Sequence, residues 1–430
     1  MSGSHLAKTG RPVPREKPST PVASGDFVKD QYEAYPYPAR DPADEAKRLI
    51  EGSPSRLDEL DHYLFEGRRD WSQPFRALFA GGGTGDGCIM LAQQCADRGV
   101  PAEIVYLDLS RASRQIAEAR AAARGLTSIA FHTSSLLEAS SFGPFDYIDC
   151  CGVLHHLPEP AAGFAALASA LAPGGGMGLM VYGELGRTGV YDMQGLLRTL
   201  TPPETDEPPE RLKLAKALLA SLPPTNRFRA NPLVGDHLQS DAGLYDLLLH
   251  TQDRAYRVPE LLAELTAAGL RLVSFLPSLL YDPAFFINDR QVLGRLAVLS
   301  QAERAAMGEV LVGNRKTHVL YCVPSSRTGE TMARPDRRTC VPVWFEPEGP
   351  ALARSLAGGK PLKGALDGLT LTIPVSGDAA MILSRVDGQR SLGEIEADLA
   401  EHLSGAQVRA AFRTVYQTLN GLNMMGLKTR

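Results

Sequence analysis

Apolar and polar residues along the chain fall into blocks whose period keeps changing. From Arg76 onward, short apolar runs recur at close spacing with helical patterns between them. Ala77–Ala80 is apolar and ends in glycines, and Asp86 to Ala96 then carries helical spacing. Glu103–Leu107 predicts a second strand, Ala112 to Arg124 an alanine-rich helix, Ile129–His132 a third strand and Tyr147–Cys151 a fourth. Ala161–Leu171 reads as a helix closed by Pro173 and Gly174–Gly176, and Met177–Tyr182 as a fifth strand. Strand and helix in close alternation predict a parallel sheet with helices on both faces, doubly wound by right-handed crossovers.

The rhythm breaks at Gly186. Helical patches at Gln194–Leu200 and Arg211–Leu219 flank the acidic, proline-rich Pro202–Glu210, which predicts a helical insertion over about 186–258. Pro259–Leu270 then reads as a helix, Leu272–Leu276 as a strand and His318–Val323 as a last strand. With no crossover helix of ordinary length read between those two strands, the sheet is expected to close on an antiparallel hairpin. The α/β domain is thus expected over 76–324, a polar linker over 325–340 and a small α+β unit over 341–430. In that unit Leu369–Pro374 and Met424–Lys428 predict strands; Ala379–Val386, Leu392–His402 and Ala406–Leu419 predict helices. Ahead of the α/β domain, residues 1–25 are rich in Ser, Pro and basic groups and are expected to be a disordered tail. Residues 26–75 form a lid or a strap. Tyr32, Tyr35 and Tyr37 lie beside Pro36 and Pro38, which stiffen the backbone and disfavour helix at Tyr35 and Tyr37. Three tyrosines on a stiff segment either cover a ligand or pack as a strap on the core.

Composition narrows the function classes. A length of 430 residues suits about two to three domains. Hydrophobic residues at 44% and charged residues at 22% exclude a wholly disordered chain. A formal net charge of −4 offers no basic field for nucleic acid or anionic lipid. The six cysteines include no CxxC pair, so neither a disulfide framework nor a metal site is expected. No apolar run approaches a membrane span and no apolar signal region is read near the start, so the expected location is cytoplasmic.

The chemistry centres on Ala80–Gly81–Gly82–Gly83–Thr84–Gly85–Asp86–Gly87, which follows a predicted strand and opens a predicted helix. Glycines there let the backbone take positive φ and approach a ligand closely. The helix start presents unpaired N–H groups to an anion. A phosphate-cradling Walker loop would end in Gly-Lys-Ser/Thr, and no lysine is present. A dinucleotide fingerprint would need a third glycine where Cys88 stands. What remains is GxGxG at Gly81, Gly83 and Gly85, with Asp108 at the tip of the next strand, in Tyr106–Leu107–Asp108–Leu109–Ser110. An acid there is placed to hydrogen-bond a ribose diol.

These residues resemble the class I S-adenosylmethionine-dependent methyltransferases over about Arg76 to Pro324. The loop, Asp108, the turn His132–Leu137, the strand Phe145–Asp149 leading to Gly152–Val153–Leu154–His155–His156–Leu157, and Leu171–Gly175 carry the likeness in order. The Tyr-Pro-Tyr-Pro leader and Leu247–Asp253 look like a bacterial subgroup sometimes fused to tetratricopeptide repeats. The resemblance implies S-adenosylmethionine as cofactor. Gly81, Gly83 and Gly85 would pass beneath its methionine part. Asp108, followed by Leu109, would hold the ribose, Ser135 and Leu136 would border the adenine, and Cys151 and Gly152 would lie beside the sulfonium. Two positions depart from the family pattern: many relatives carry an acid where Phe79 and Ser135 stand.

A methyl group on a sulfonium is already activated, so the chain must align a nucleophile and exclude water. A nitrogen or oxygen nucleophile can also need a general base. His155 and His156 are the candidates, as catalytic or as structural groups. Glu184, after Tyr182, would position an amine or a guanidinium, or be an exposed loop acid. His250 and Gln252, with Asp253, would wall the acceptor pocket or form a helix-end cluster. The C-terminal unit resembles small winged-helix-like modules that bind leader peptides. From Ser355 it holds eight Lys/Arg and seven Asp/Glu, a balance that disfavours duplex DNA and suits a partner-binding or dimerising role. The expected reaction is methyl transfer to nitrogen or oxygen of a protein or peptide, preferred over a small molecule, and a homodimer stays open. Competing readings are a nicotinamide-dependent oxidoreductase, against which the missing third glycine argues, and a non-catalytic S-adenosylmethionine-binding protein.

Overall fold

A computed structural model describes residues 24–346 and 348–429. The tail expected over 1–25 lies outside the described residues except Ser24 and Gly25, which begin α1 (Ser24–Ala34). That helix stops before Tyr35, where the following proline disfavours it. A second helix, α2 (Leu57–Leu64), completes the N-terminal segment.

Seven strands form the main sheet: β1 (Phe75–Ala80), β2 (Ala102–Asp108), β3 (Ile129–Thr133), β4 (Phe145–Cys151), β5 (Leu171–Tyr182), β6 (Leu270–Leu276) and β7 (Thr317–Pro324). Their order is β3-β2-β1-β4-β5-β7-β6. The connections carry α3 (Asp86–Arg98), α4 (Arg111–Ala123) and α5 (Pro160–Ser169) in the first half of the sheet. This is the doubly wound α/β architecture. Period-2 alternation splits the strands between two cores. Leu78, Val105, Ile148 and Leu179 face one side, and Ala77, Ile104, Tyr106 and Tyr147 face the other, with α2 and α3. The strand order reverses between β1 and β4, so a crevice opens at their carboxyl ends.

Three expectations need correction. Pro173 and Gly174–Gly176 do not close a helix; α5 ends at Ser169 and β5 already begins at Leu171. Phe145 pairs with Leu171 and Tyr147 with Gly176, so the glycine run is absorbed as an irregularity in the ladder. The β6–β7 connection does hold helices, α10 (Arg290–Leu296) and α11 (Gln301–Val312). Met307, Val310 and Leu311 are exposed on α11, which blurs its apolar period, although Ser300 and Glu303 form a legible capping box. The antiparallel ending is present all the same: β7 pairs antiparallel with both β5 and β6. Third, the stretch expected as a polar linker is laid against α2, with the Glu66 N–H donating to Thr331 O and the Ala333 N–H to His62 O.

The insertion holds α6 (Val190–Leu200), α7 (Pro208–Ala220) and α8 (Asp241–Leu244), the last continued by a wide π turn at Tyr245–Leu249. Then α9 (Val258–Ala267) leads into β6. The C-terminal unit is α+β. Strands β8 (Cys340–Trp344) and β11 (Met425–Thr429) pair antiparallel, β9 (Leu362–Leu366) and β10 (Leu369–Ile373) form a hairpin, and α12 (Gly349–Ala357), α13 (Gly377–Leu383), α14 (Leu392–Asp398) and α15 (Gly405–Gly421) pack around them.

Two devices hold the N-terminal segment in place. Glu33 accepts from the Arg111 and Ala112 N–H groups at the start of α4. Buried Arg120 pairs with Glu45 at 2.6 Å and with Asp86 at 2.7 Å, while Arg40 holds Asp86 at 2.6 Å and Arg124 also binds Glu45. Behind the sheet, α2 is buried on nearly every side between the sheet and the C-terminal unit. His62 Nδ1 accepts the Leu427 N–H, and its Nε2 meets the Tyr416 hydroxyl.

Removing Arg120 leaves Glu45 and Asp86 without a buried counter-charge. Arg120→Met is expected to cost ~3 kcal/mol in urea unfolding. Burial drives the His62 pKa from 6.5 down to about 3, against a small opposing pull from the Leu427 N–H. Between these values the unfolded chain takes up a proton that the folded chain refuses, so this contribution is lost as pH falls from 6.5 toward 3. Burial raises neighbouring Asp61 to about 6, which works in the opposite sense in either protein. His62→Gln is therefore expected to lessen the acid sensitivity of unfolding by up to ~1.4 kcal/mol per pH unit, read from denaturation across that window.

Candidate active site

The crevice is built first by backbone. Gly81, Gly83 and Gly85 take φ of 77°, 52° and 100°, the left-handed region that only glycine adopts freely. A Cβ on Gly81 would stand 2.3 Å from Val153 Cγ2, and one on Gly82 2.3 Å from the Tyr106 ring. Val153 and Tyr106 already pack against the loop, so only glycine fits at these two positions. Asp108 closes it: one carboxylate oxygen takes the Gly83 N–H and the other the Ser110 N–H, each at 2.8 Å. Burial raises the Asp108 pKa while these two donors pull it down, and Glu33 adds to the rise. Leu109 is exposed beside it, Ser135 Oγ accepts the Leu137 N–H, and Leu136 packs into the core. Cys151 ends β4, and Gly152 follows at a φ of 80°.

The N-terminal segment crosses this crevice. Ser110 Oγ donates to Tyr32 O and Thr84 Oγ1 to Pro38 O. The segment packs as a strap, and it runs directly over the glycine loop.

Beyond Cys151 and Gly152, around His155 and His156, lies a buried polar cluster. Asp246, in the π turn, accepts the Tyr32 hydroxyl at 2.9 Å and the Tyr182 hydroxyl at 3.0 Å. Burial raises its pKa, moderated first by His156. His156 donates from Nδ1 to the Gln252 carbonyl at 2.9 Å, which leaves the lone pair on Nε2. That Nε2, both ring nitrogens of His155 and Gln252 Oε1 are buried without a hydrogen-bond partner among the described residues. His250 stacks on His156 at 3.8 Å and accepts the Gln252 N–H on Nδ1. Burial, then His156, pushes His155 and His250 well below the usual histidine range, so both stay neutral. Tyr35 stacks on Tyr245, and Arg187, paired with Asp253, lies over the Tyr182 ring.

The structure thus gathers His155, His156, Tyr32, Tyr182, His250 and Gln252 into one place. Glu184 stands apart: it is half-exposed, its ion-pair partner is Arg257 at 3.8 Å, and it joins none of the cluster's hydrogen bonds among the described residues. Tyr37 lies over the loop instead, its carbonyl 3.2 Å from where a Gly83 Cβ would stand. Sequence reasoning missed Asp246, whose signal was a lone acid inside Tyr245–Leu249. His156, Asp246 and His250 place one potential metal-ligand atom each within 4.8 Å of one another, a grouping no sequence motif announced. Two of the three already have partners: Asp246 is engaged by two hydroxyls, and His250 Nδ1 takes the Gln252 N–H.

A family model described as a methyltransferase domain matches residues 78–177. An uncharacterized protein of Synechococcus sp. is 30% identical over 294 residues, 66% of this chain and 68% of that protein. A ubiquinone biosynthesis O-methyltransferase of Alkalilimnicola ehrlichii is 35% identical over 139 residues, 31% of this chain and 51% of its own. The structure of PKMT2 from Rickettsia typhi shares the fold with a TM-score of 0.56 at 15% identity, over 92% of this chain and 76% of that one. The same protein with AdoHcy gives 0.55 at 14% identity, over the same shares.

The crevice suits the cofactor these likenesses indicate: a side-chain-free cradle, a helix start and an acid at ribose distance along the sheet edge. Asp108→Asn is expected to weaken S-adenosylhomocysteine binding about tenfold or more in calorimetry, the loss of a charged hydrogen-bond acceptor. Loop, acid and shared sequence together place the chain in the class I S-adenosylmethionine-dependent methyltransferase family, and S-adenosylmethionine is its cofactor.

Proposed function

We propose that this methyltransferase acts on an amine nitrogen carried by a protein or peptide, with Asp246 binding the amine and His156 removing its proton. The observation that carries the reading is His156, whose Nε2 has no partner among the described residues and whose ring lies within ligand distance of the buried Asp246 carboxylate. An amine arrives as an ammonium. A buried carboxylate favours that charge, and the faces of neighbouring tyrosines add a cation–π attraction. The amine must lose a proton before it can attack, and the fixed Nδ1–H of His156 keeps Nε2 free to take it. When bound, the cofactor supplies a methyl carbon activated by its sulfonium. Gly81, Gly83, Gly85, Asp108, Leu109, Ser135, Leu136, Cys151 and Gly152 are proposed to hold it. His155, neutral and packed 3.8 Å from the Tyr182 ring, positions that tyrosine. Glu184 is proposed for the rim rather than the reacting centre.

The C-terminal unit supports a macromolecular acceptor: a charge-balanced module is joined to α2, behind the sheet, and is free to engage a partner. A second reading, methylation of a hydroxyl on a small molecule, is favoured by the likeness to the ubiquinone biosynthesis O-methyltransferase. Among the described residues no helix is long and apolar enough to cross a membrane. Six free thiols suit a reducing, cytoplasmic setting, which belongs to the proposal together with a homodimer.

Transfer from labelled S-adenosylmethionine into a lysate split by size is expected to label macromolecules; label confined to small molecules would overturn the protein reading. His156→Gln is expected to lower kcat by roughly 10²–10⁴-fold while S-adenosylhomocysteine affinity stays within about twofold.

A further inference from the structure

One buried acid has no part in the chemistry above. Asp149 lies near the end of β4, 8% exposed. Its hydrogen-bond partners are neutral: Ser55 Oγ donates at 2.6 Å, with the Tyr147 hydroxyl at 3.5 Å and Cys151 Sγ at 3.6 Å. No ion pair reaches it among the described residues. A buried carboxylate without a counter-charge is costly, and burial pushes this one up to about 6. Tyr147 and Ser55 around it form a neutral polar network, which supplies hydrogen bonds and no positive charge.

Asp149 pairs in register with Phe79, the residue two before Gly81. Both side chains point to the α3 side of the sheet, and a Cβ on Gly87 would stand 3.1 Å from the Phe79 ring and 3.8 Å from Asp149 Oδ2. The carboxylate therefore lies under the first turn of α3, one pleat below Cys151, along the wall proposed above for the methionine part of the cofactor. That part carries one carboxylate and one ammonium. The N-terminal turn of α3 suits the carboxylate. The ammonium needs an anion, and Phe79 supplies none.

We infer that Asp149 binds the α-ammonium of the cofactor, so that β4 provides the acid that β1 lacks at Phe79. The counter-charge missing from this buried acid then arrives with the ligand. Ser55, reaching in from the N-terminal segment, holds the carboxylate in place until it does. The inference concerns the cofactor alone and is independent of the acceptor.

Calorimetry with three ligands tests it: S-adenosylhomocysteine, its analogue lacking the α-amino group, and methylthioadenosine, which lacks the whole amino-acid part. Wild-type protein is expected to bind S-adenosylhomocysteine at least about tenfold more tightly than the deaminated analogue, the scale of one charged hydrogen bond. Asp149→Asn is expected to erase most of that preference and to leave methylthioadenosine affinity within about twofold. Asn keeps an acceptor for Ser55, so thermal unfolding of the ligand-free variant is expected to match or exceed wild type. Equal loss for all three ligands would mark Asp149 as structural and overturn the inference. Equal wild-type affinity for S-adenosylhomocysteine and its deaminated analogue would overturn it without any variant. Wild-type protein that bound none of the three would overturn the cofactor assignment with it.

Discussion

Three carboxylates stand near the carboxyl edge of one sheet, Asp149 and Asp246 buried and Asp108 part-buried, and their surroundings follow from the cost of taking them out of water. Each is shifted upward by burial. Each is steadied by donors that come from elsewhere in the chain: backbone N–H groups for Asp108, Ser55 for Asp149, and two tyrosine hydroxyls for Asp246. Neutral donors only partly offset desolvation. Such positions suit the ligand groups proposed for them: ribose hydroxyls, a cofactor ammonium and an acceptor amine.

The N-terminal segment is what makes burial feasible. Without it Asp246 would lose Tyr32, Asp149 would lose Ser55, and the glycine loop would face solvent. The segment stays down because its own charges are matched. Glu33 caps α4, and the Glu45–Arg120–Asp86–Arg40 chain ties it to α3 and α4 beside the loop. The same helix starts that shape the cofactor crevice thus anchor its cover. The C-terminal unit acts from the other side, by enclosing α2, which also carries Glu59 against the Tyr321 hydroxyl.

Much of the α/β domain was legible because its signals are local. Apolar runs, glycines at a strand end and an acid at the next strand tip all lie within a few residues of one another. The errors were equally physical. Pro173 and its glycines look like a helix stop, yet a ladder can take them up as an irregularity once Phe145 and Tyr147 supply partners on either side. Helix α11 was overlooked because it packs through small residues such as Gly308, against the Tyr281 backbone, and leaves apolar residues outside. Ser325–Arg338 is polar, yet its backbone is ordered by hydrogen bonds to α2 that composition cannot show.

Most strands of the sheet, the glycine loop and Asp108 at the next strand tip could be read from residue order, since strand alternation and glycine backbone freedom are written residue by residue. The sequence also named most members of the polar cluster as separate candidates. Only the tertiary structure decided that they form one site, because Tyr32, His156, Tyr182, Asp246 and His250 span more than half the chain and meet through a fold, not a spacing. It alone showed that two lone acids in apolar runs, Asp149 and Asp246, are buried with neutral hydrogen-bond partners. An acid's role depends on whether a partner stands opposite it, and that depends on register: Phe79 beside Asp149, and a π turn that aims Asp246 between two tyrosines.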